Sequence, residues 1–159
     1  MLKSAIIAAA FLCIGAAGGA DAAGQEQERI VNVEASDPQM NAAKARAIAG
    51  LPEFYRHLAR PERGEERFMI KFDIAPGDAV EYVWANDLDR SATPMTGTLL
   101  SRPLQTNDQP GDRISIAEAD IIDWLYIRNG VAQGAYTQRV LLDRMPPDEA
   151  AALRENMGW

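Results

Sequence analysis

At Phe68 the hydrophobic period of the chain changes from 3.6 to 2, and that change limits the folds open to it. Before this point Met40, Ala43, Ala47, Ile48 and Leu51 recur at helical spacing behind Ser36-Asp37-Pro38, which supplies a cap residue and a first-turn proline. Gly50 reads as the stop of that helix and Pro52 as the start of a second, short one, with Leu51, Phe54, Tyr55 and Leu58 on a common face. The run Arg-Pro-Glu-Arg-Gly-Glu-Glu that follows reads as a solvated loop. After it Phe68, Ile70, Phe72 and Ile74 alternate with Met69, Lys71 and Asp73, the pattern of a strand with one buried face.

The strands continue in short antiparallel steps. Ala75-Pro76-Gly77-Asp78 is a turn, and residues 79–85 return along the first strand with Val80, Tyr82 and Trp84 alternating. The polar segment 86–95 reads as a loop, residues 96–102 as a third strand stopped by Pro103, and residues 113–116 as a fourth. Residues 121–128 and 131–135 form a hairpin through Asn129-Gly130, a strong type I′ turn signal. Val140, Leu141 and Leu142 restore the helical period, and Pro147-Asp148-Glu149 opens a last helix with acids in its first turn. Helices, then hairpin-linked strands, then helices predict an α+β domain: a curved antiparallel sheet of about five to six strands with N-terminal and C-terminal helices packed on it.

The first residues bear on compartment. Lys3 precedes an apolar run too short to span a bilayer, followed by Ala20-Asp21-Ala22, a small-x-small cleavage signal. This predicts a signal peptide over residues 1–22, a flexible segment over 23–35 in which Ile30, Val31 and Val33 fit a tether or an edge strand, and a single domain over 36–159 in a periplasmic or secreted protein. Cys13, the single cysteine, lies inside the apolar run behind Phe11-Leu12, where a lipoprotein needs a small residue. The expected mature chain therefore has no lipid anchor, thiol or disulfide, and packing must hold it together. A net charge of −7 repels phosphate backbones and anionic lipid, which makes nucleic acid and membrane surface poor partners.

Chemistry is sparse. One histidine, His57, makes no multi-His metal site, and its expected place is solvated or at an edge of the packing. Neither a phosphate-binding glycine loop nor a nucleophile elbow occurs, so no metal and no cofactor is expected. Glu81 and Asp123 are the carboxylates to test as a catalytic acid pair of the kind that hydrolyses glycosides. Trp84, Trp124, Tyr136 and Arg139 are the binding candidates. Arg139 is the expected partner of Asp123, and Asp123→Ala should cost about 1–3 kcal/mol if that pair is buried. Tyr136 is expected to lay its ring on Trp124, Gly134 to permit a bend with positive φ, and Thr137 to cap the helix it begins. These residues serve either a structural corner or a binding cleft, the corner being the simpler reading. Trp84 and Trp124 read as core in preference to sugar platforms, and Trp159 as a seal at the end of the chain.

Several spaced signatures occur in order: SDPxMNxAxxxA, then LPEF, FMIKF, EYVW, Gly97, the Gly111-Asp112 turn, Ile122-Asp123-Trp124 and GAYTQRVLL. The ordered set, over residues 36–157, resembles the YegJ-like family of small, often exported bacterial proteins built around a domain of unknown function. The resemblance implies an α+β domain and carries over no activity or catalytic residue. Two functions remain in view: a noncatalytic periplasmic domain that binds a protein or envelope ligand, which is preferred, and a carboxylate-dependent hydrolase of cell-wall glycan.

Overall fold

The computed structural model describes residues 6–9, 29–32 and 37–159, the first two stretches by backbone alone. β1 (Ile6–Ala9) and β2 (Arg29–Asn32) pair antiparallel as a separate ribbon. Apart from β1, the expected signal peptide lies outside the described residues, as does its cleavage point after Ala22.

α1 (Pro38–Ala59) is one helix where two were expected. Asp37 caps it, its Oδ1 accepting from the amides of Gln39 (3.0 Å) and Met40 (3.1 Å). Arg144 forks onto the same carboxylate and holds its pKa down at about 2. Pro52 removes one backbone donor, the one that would bond the Ile48 carbonyl, and Ile48 lies on the solvent side, 44% exposed, where that carbonyl can turn to water. Gly50 stops nothing. A Cβ there would stand 2.8 Å from Trp124 Cζ2, so the glycine lets the helix settle against the indole.

The sheet runs β6-β5-β4-β3-β7-β8, every neighbour antiparallel. Its strands are β3 (Glu65–Asp73), β4 (Tyr82–Asp89), β5 (Met95–Leu99), β6 (Arg113–Ile116), β7 (Ile121–Arg128) and β8 (Val131–Gly134). β3 begins inside the expected solvated loop, and β4 runs four residues into the expected polar loop. Asn129 and Gly130 take φ of 51° and 80°, the two positive values that a type I′ hairpin requires. α2 (Tyr136–Leu142) and α3 (Pro147–Asn156) close the chain.

Both faces of the central strands are covered, which corrects the one-faced reading of β3. On one face α1 sets Leu51 and Phe54 against Ile70, Phe72, Val83, Trp124 and Tyr126. Phe68 and Ile74 pack at the margin of this cluster, so the predicted alternation lies on the α1 face. On the other face Met69, Trp84, Leu125 and Ile127 meet Met157 and Trp159 behind α3. Phe54, fully buried, contributes about 2–3 kcal/mol by leaving water. Trp124 links the elements: its Nε1 donates to the Ala47 carbonyl of α1 (2.8 Å), and a Cβ at Gly134, where φ is 73°, would lie 2.4 Å from its ring.

β3 carries a bulge. Glu66 pairs with Ile127 and Met69 with Leu125, three residues against two, and Arg67 between them has φ of 57°. The extra residue rotates the start of β3 by one position. Glu65, which would otherwise share a face with Met69 and Lys71, therefore points to the α1 side, where His57 waits. Among the described residues no helix is long and apolar enough to cross a membrane.

Candidate functional site

The β3–β7 ladder matches a charge with its opposite at each end: Glu65 faces Arg128, and Lys71 faces Asp123. The second pair is the deeper. Lys71 and Asp123 are 1% and 0% exposed on the α3 side of the sheet. Asp123 Oδ1 accepts from the amides of Trp124 (2.9 Å) and Tyr136 (3.1 Å), and Oδ2 from the Thr137 amide (2.7 Å) and hydroxyl (2.6 Å). α2 starts from Ala135 at φ 51° with no cap of its own, so Asp123 caps it from across the sheet, a role expected of Thr137. Lys71 Nζ reaches this group through the Thr137 hydroxyl (3.4 Å) and lies 5.8 Å from the centre of the Trp84 ring.

Removal from water dominates both groups. Burial lowers the Lys71 pKa to about 8 against the pull of Asp123, and burial raises Asp123 above the usual carboxylate range against its donors and Lys71. Arg139, the expected partner, turns elsewhere: Nε donates to the Gly134 carbonyl (3.2 Å), Nη2 to that of Ala132 (3.3 Å), and the guanidinium lies 3.6 Å from the centre of the Trp159 ring. The planar fork found carbonyls and an indole at the surface, whereas a four-carbon ammonium on the facing strand could enter the interior.

Glu81 is also buried, 1% exposed, and is likewise engaged by backbone. Its Oε1 accepts from the Leu104 amide (2.6 Å) and its Oε2 from the Gln105 amide (2.8 Å). Glu81 thus ties down a loop, residues 100–111, whose ends are joined by Leu99 N to Asp112 O and Gly111 N to Leu99 O, each 2.9 Å. Within it Thr106 bonds Asp108 and the Gln109 amide bonds Asp112. The product is a compact, internally bonded loop with Leu104 standing 56% exposed at its fixed point.

The aromatic candidates divide between the faces. Trp124 (5% exposed) lies on the α1 side and meets the Tyr136 ring edge-on at 5.7 Å, with Arg46 over that ring at 4.8 Å. Trp84 (4% exposed) lies on the α3 side, so the two indoles form no shared platform. Trp159 donates from Nε1 to the Ala132 carbonyl (3.0 Å) and closes the outer edge of β8.

His57, expected to be solvated or at an edge of the packing, is 1% exposed and stacks on Tyr126 at 5.2 Å. Its Nδ1 donates to Glu65 Oε2 (3.0 Å), leaving Nε2 to accept from Arg56 (2.8 Å). Glu65 also takes Arg128 Nε (2.8 Å) and Nη2 (2.6 Å) on Oε1. Burial pushes the Glu65 pKa up, yet the Glu62 amide, Arg128 and His57 together hold it below the usual range. His57, Glu62 and Glu65 offer one nitrogen and two carboxylates within 4.8 Å of one another, donors that suit a divalent cation. Arg128 and Arg56 already supply positive charge there.

Residues 37–159 match the family described as an uncharacterized protein conserved in bacteria, DUF2314. Over 132 residues the chain is 26% identical to a putative ankyrin repeat protein of Neisseria meningitidis serogroup B, covering 76% of this chain and 51% of that protein. Over 97 residues it is 30% identical to the uncharacterized protein YegJ of Escherichia coli strain K12, covering 60% of this chain and 63% of YegJ. The chain thus spans 51% of the first relative and 63% of the second. No solved structure matches. The family match takes in the whole of the α+β domain described above, and the chain belongs to this YegJ-like family of uncharacterised conserved bacterial proteins.

Proposed function

We propose that the chain is an exported bacterial domain that binds a protein partner and catalyses no reaction. The observation that carries this reading is the loop at residues 100–111, where a buried carboxylate, Glu81, is committed to holding two consecutive amides and thereby presents Leu104 to solvent. A pre-ordered loop bearing an exposed aliphatic side chain loses little freedom when it meets a partner. Asp108 within it and Asp112 just beyond it, in a chain of net charge −7, suit a partner with an apolar socket for Leu104 ringed by basic groups. One relative carries the ankyrin repeat in its name, and repeats of that kind stack into extended binding surfaces. The carboxylates that a hydrolase would need, Glu81 and Asp123, are sealed from solvent on backbone amides of different segments, which favours binding over catalysis. Export rests on Lys3, the apolar run and Ala20-Asp21-Ala22.

The test compares the tagged full-length protein with Leu104→Asp and Ile48→Asp, each crosslinked mildly in the envelope of a bacterial host and captured. A stoichiometric protein partner retained by the parent and Ile48→Asp and lost by Leu104→Asp, with melting temperatures unchanged, supports the reading. A partner held equally by all three, or by none, overturns the Leu104 surface. Periplasmic material whose N-terminus begins at Ala23 supports export, and unprocessed cytosolic material overturns it.

A further inference from the structure

Behind the sheet, between β3, β4 and β7 and the C-terminal helices, lies a cavity of about 20 Å³. Met69, Trp84 and Leu125 form its floor, and Leu153 and Met157 cover it from α3 and the turn beyond. Gln138 of α2 is the polar side chain of this lining; it is 5% exposed, and its Oε1 has no hydrogen-bond partner. Buried amide oxygens are nearly always paired, so an orphan in the wall of an apolar hollow calls for a donor from outside the chain. A single water fits the volume, but buried waters typically make about three hydrogen bonds, and side chains that are mostly aliphatic, thioether and indole are poor company for one.

We propose that this hollow is the closed form of a ligand site for a small, neutral, apolar molecule with one hydrogen-bond donor, a medium-chain primary alcohol being the simplest member of the class. Its hydroxyl donates to Gln138 Oε1 and its chain lies against Trp84 and Leu125. No charged side chain lines the hollow, which sets the ligand's neutrality. Room comes from two sources. Met69 and Met157 are flexible thioethers that repack around irregular shapes. α3 is a lightly held cover: among its helical residues Ala150 alone is buried, no side chain caps its N-terminus, and its Arg154–Asp143 ion pair is exposed on both sides. The site is separate from the Leu104 loop and stands or falls without it.

The probe is 1-hexanol, titrated into the full-length protein while the three indole N–H signals and the Met methyl signals are followed by NMR. Saturable shifts confined to Trp84, Met69 and Met157 are expected, with a Kd on the order of 1 mM, or about −4 kcal/mol. Dipropyl ether, of similar size but without a donor, should bind at least tenfold more weakly. Gln138→Leu should erase that preference, and Leu153→Trp, which fills the hollow, should abolish binding of both. Ether and alcohol binding alike to the parent, shifts that never saturate, or an ordered water kept on Gln138 at saturating hexanol would each overturn the proposal.

Discussion

The two charge pairs of the β3–β7 ladder share strands, chemistry and burial of their acids, yet their acids titrate in opposite directions. Glu65 is held below its ordinary range and Asp123 is pushed above it. The difference lies in the cations. Arg128 keeps 37% of its side chain in solvent while its fork grips Glu65, so its charge is only partly desolvated. Lys71 is sealed in, touches Asp123 only by way of Thr137, and is itself driven toward its neutral form. Direct bonds from Arg128, His57 and the Glu62 amide outweigh the burial of Glu65, whereas Lys71, reaching Asp123 only through Thr137, offsets the burial of that acid in part.

Breaking the deep pair should have the largest effect. Asp123→Ala leaves Lys71 uncompensated and strips α2 of its cap, so a loss of about 3–5 kcal/mol is expected in urea unfolding. That exceeds the cost expected of a pair with Arg139. Adding Lys71→Met should recover part of the loss, and strict additivity of the two substitutions would sever the pair. Next comes alkaline pH. Native Lys71 loses its proton near 8 while the unfolded lysine keeps it to 10.5, so stability should rise with pH across that interval by up to about 3 kcal/mol. Lys71→Met should lack the rise, and parallel profiles for parent and variant would refute the assignment. The rim pair is smaller: Glu65→Gln should cost about 1–3 kcal/mol at neutral pH. Its contribution is fully present above the ordinary value of 4.5 and is lost as pH falls through the lowered native value, so the variant should show a flatter acid limb. Smallest is Arg139→Ala, at about 1 kcal/mol or less, since its exposed side chain bonds two backbone carbonyls. A loss matching that of Asp123→Ala would restore Arg139 as the partner.

Local signals in the chain are legible where one residue type answers one constraint. Asn129-Gly130 could only turn, Gly134 could only bend with positive φ, and Phe68, Ile70 and Phe72 could only share a face. They are not legible where meaning depends on a distant surface. Lys71 looks solvated beside Met69 because alternation cannot distinguish a strand covered on both sides from one covered on a single side. Gly50 looks like a helix stop because nothing near it in sequence announces Trp124 overhead. The buried role of His57 depends on Glu65 and Arg128, the latter 71 residues away, and on a bulge at Arg67 where no glycine marks it. The one available hint was a lysine inside Phe-Met-Ile-Lys-Phe, a charge at the centre of an otherwise apolar strand.

That bulge has a genetic corollary. Deleting the single codon for Arg67 would leave Phe68 alone opposite Tyr126, so β3 would run without a bulge and Glu65 would still face Arg128 on the His57 side. Such a deletion would leave Arg128 and His57 with their shared anion, whereas a regular strand that retained Arg67 would place a second acid beside Lys71. Among relatives, a one-residue gap at this point of an alignment would therefore mark a chain in which a regular strand brings the same acid to the same cluster.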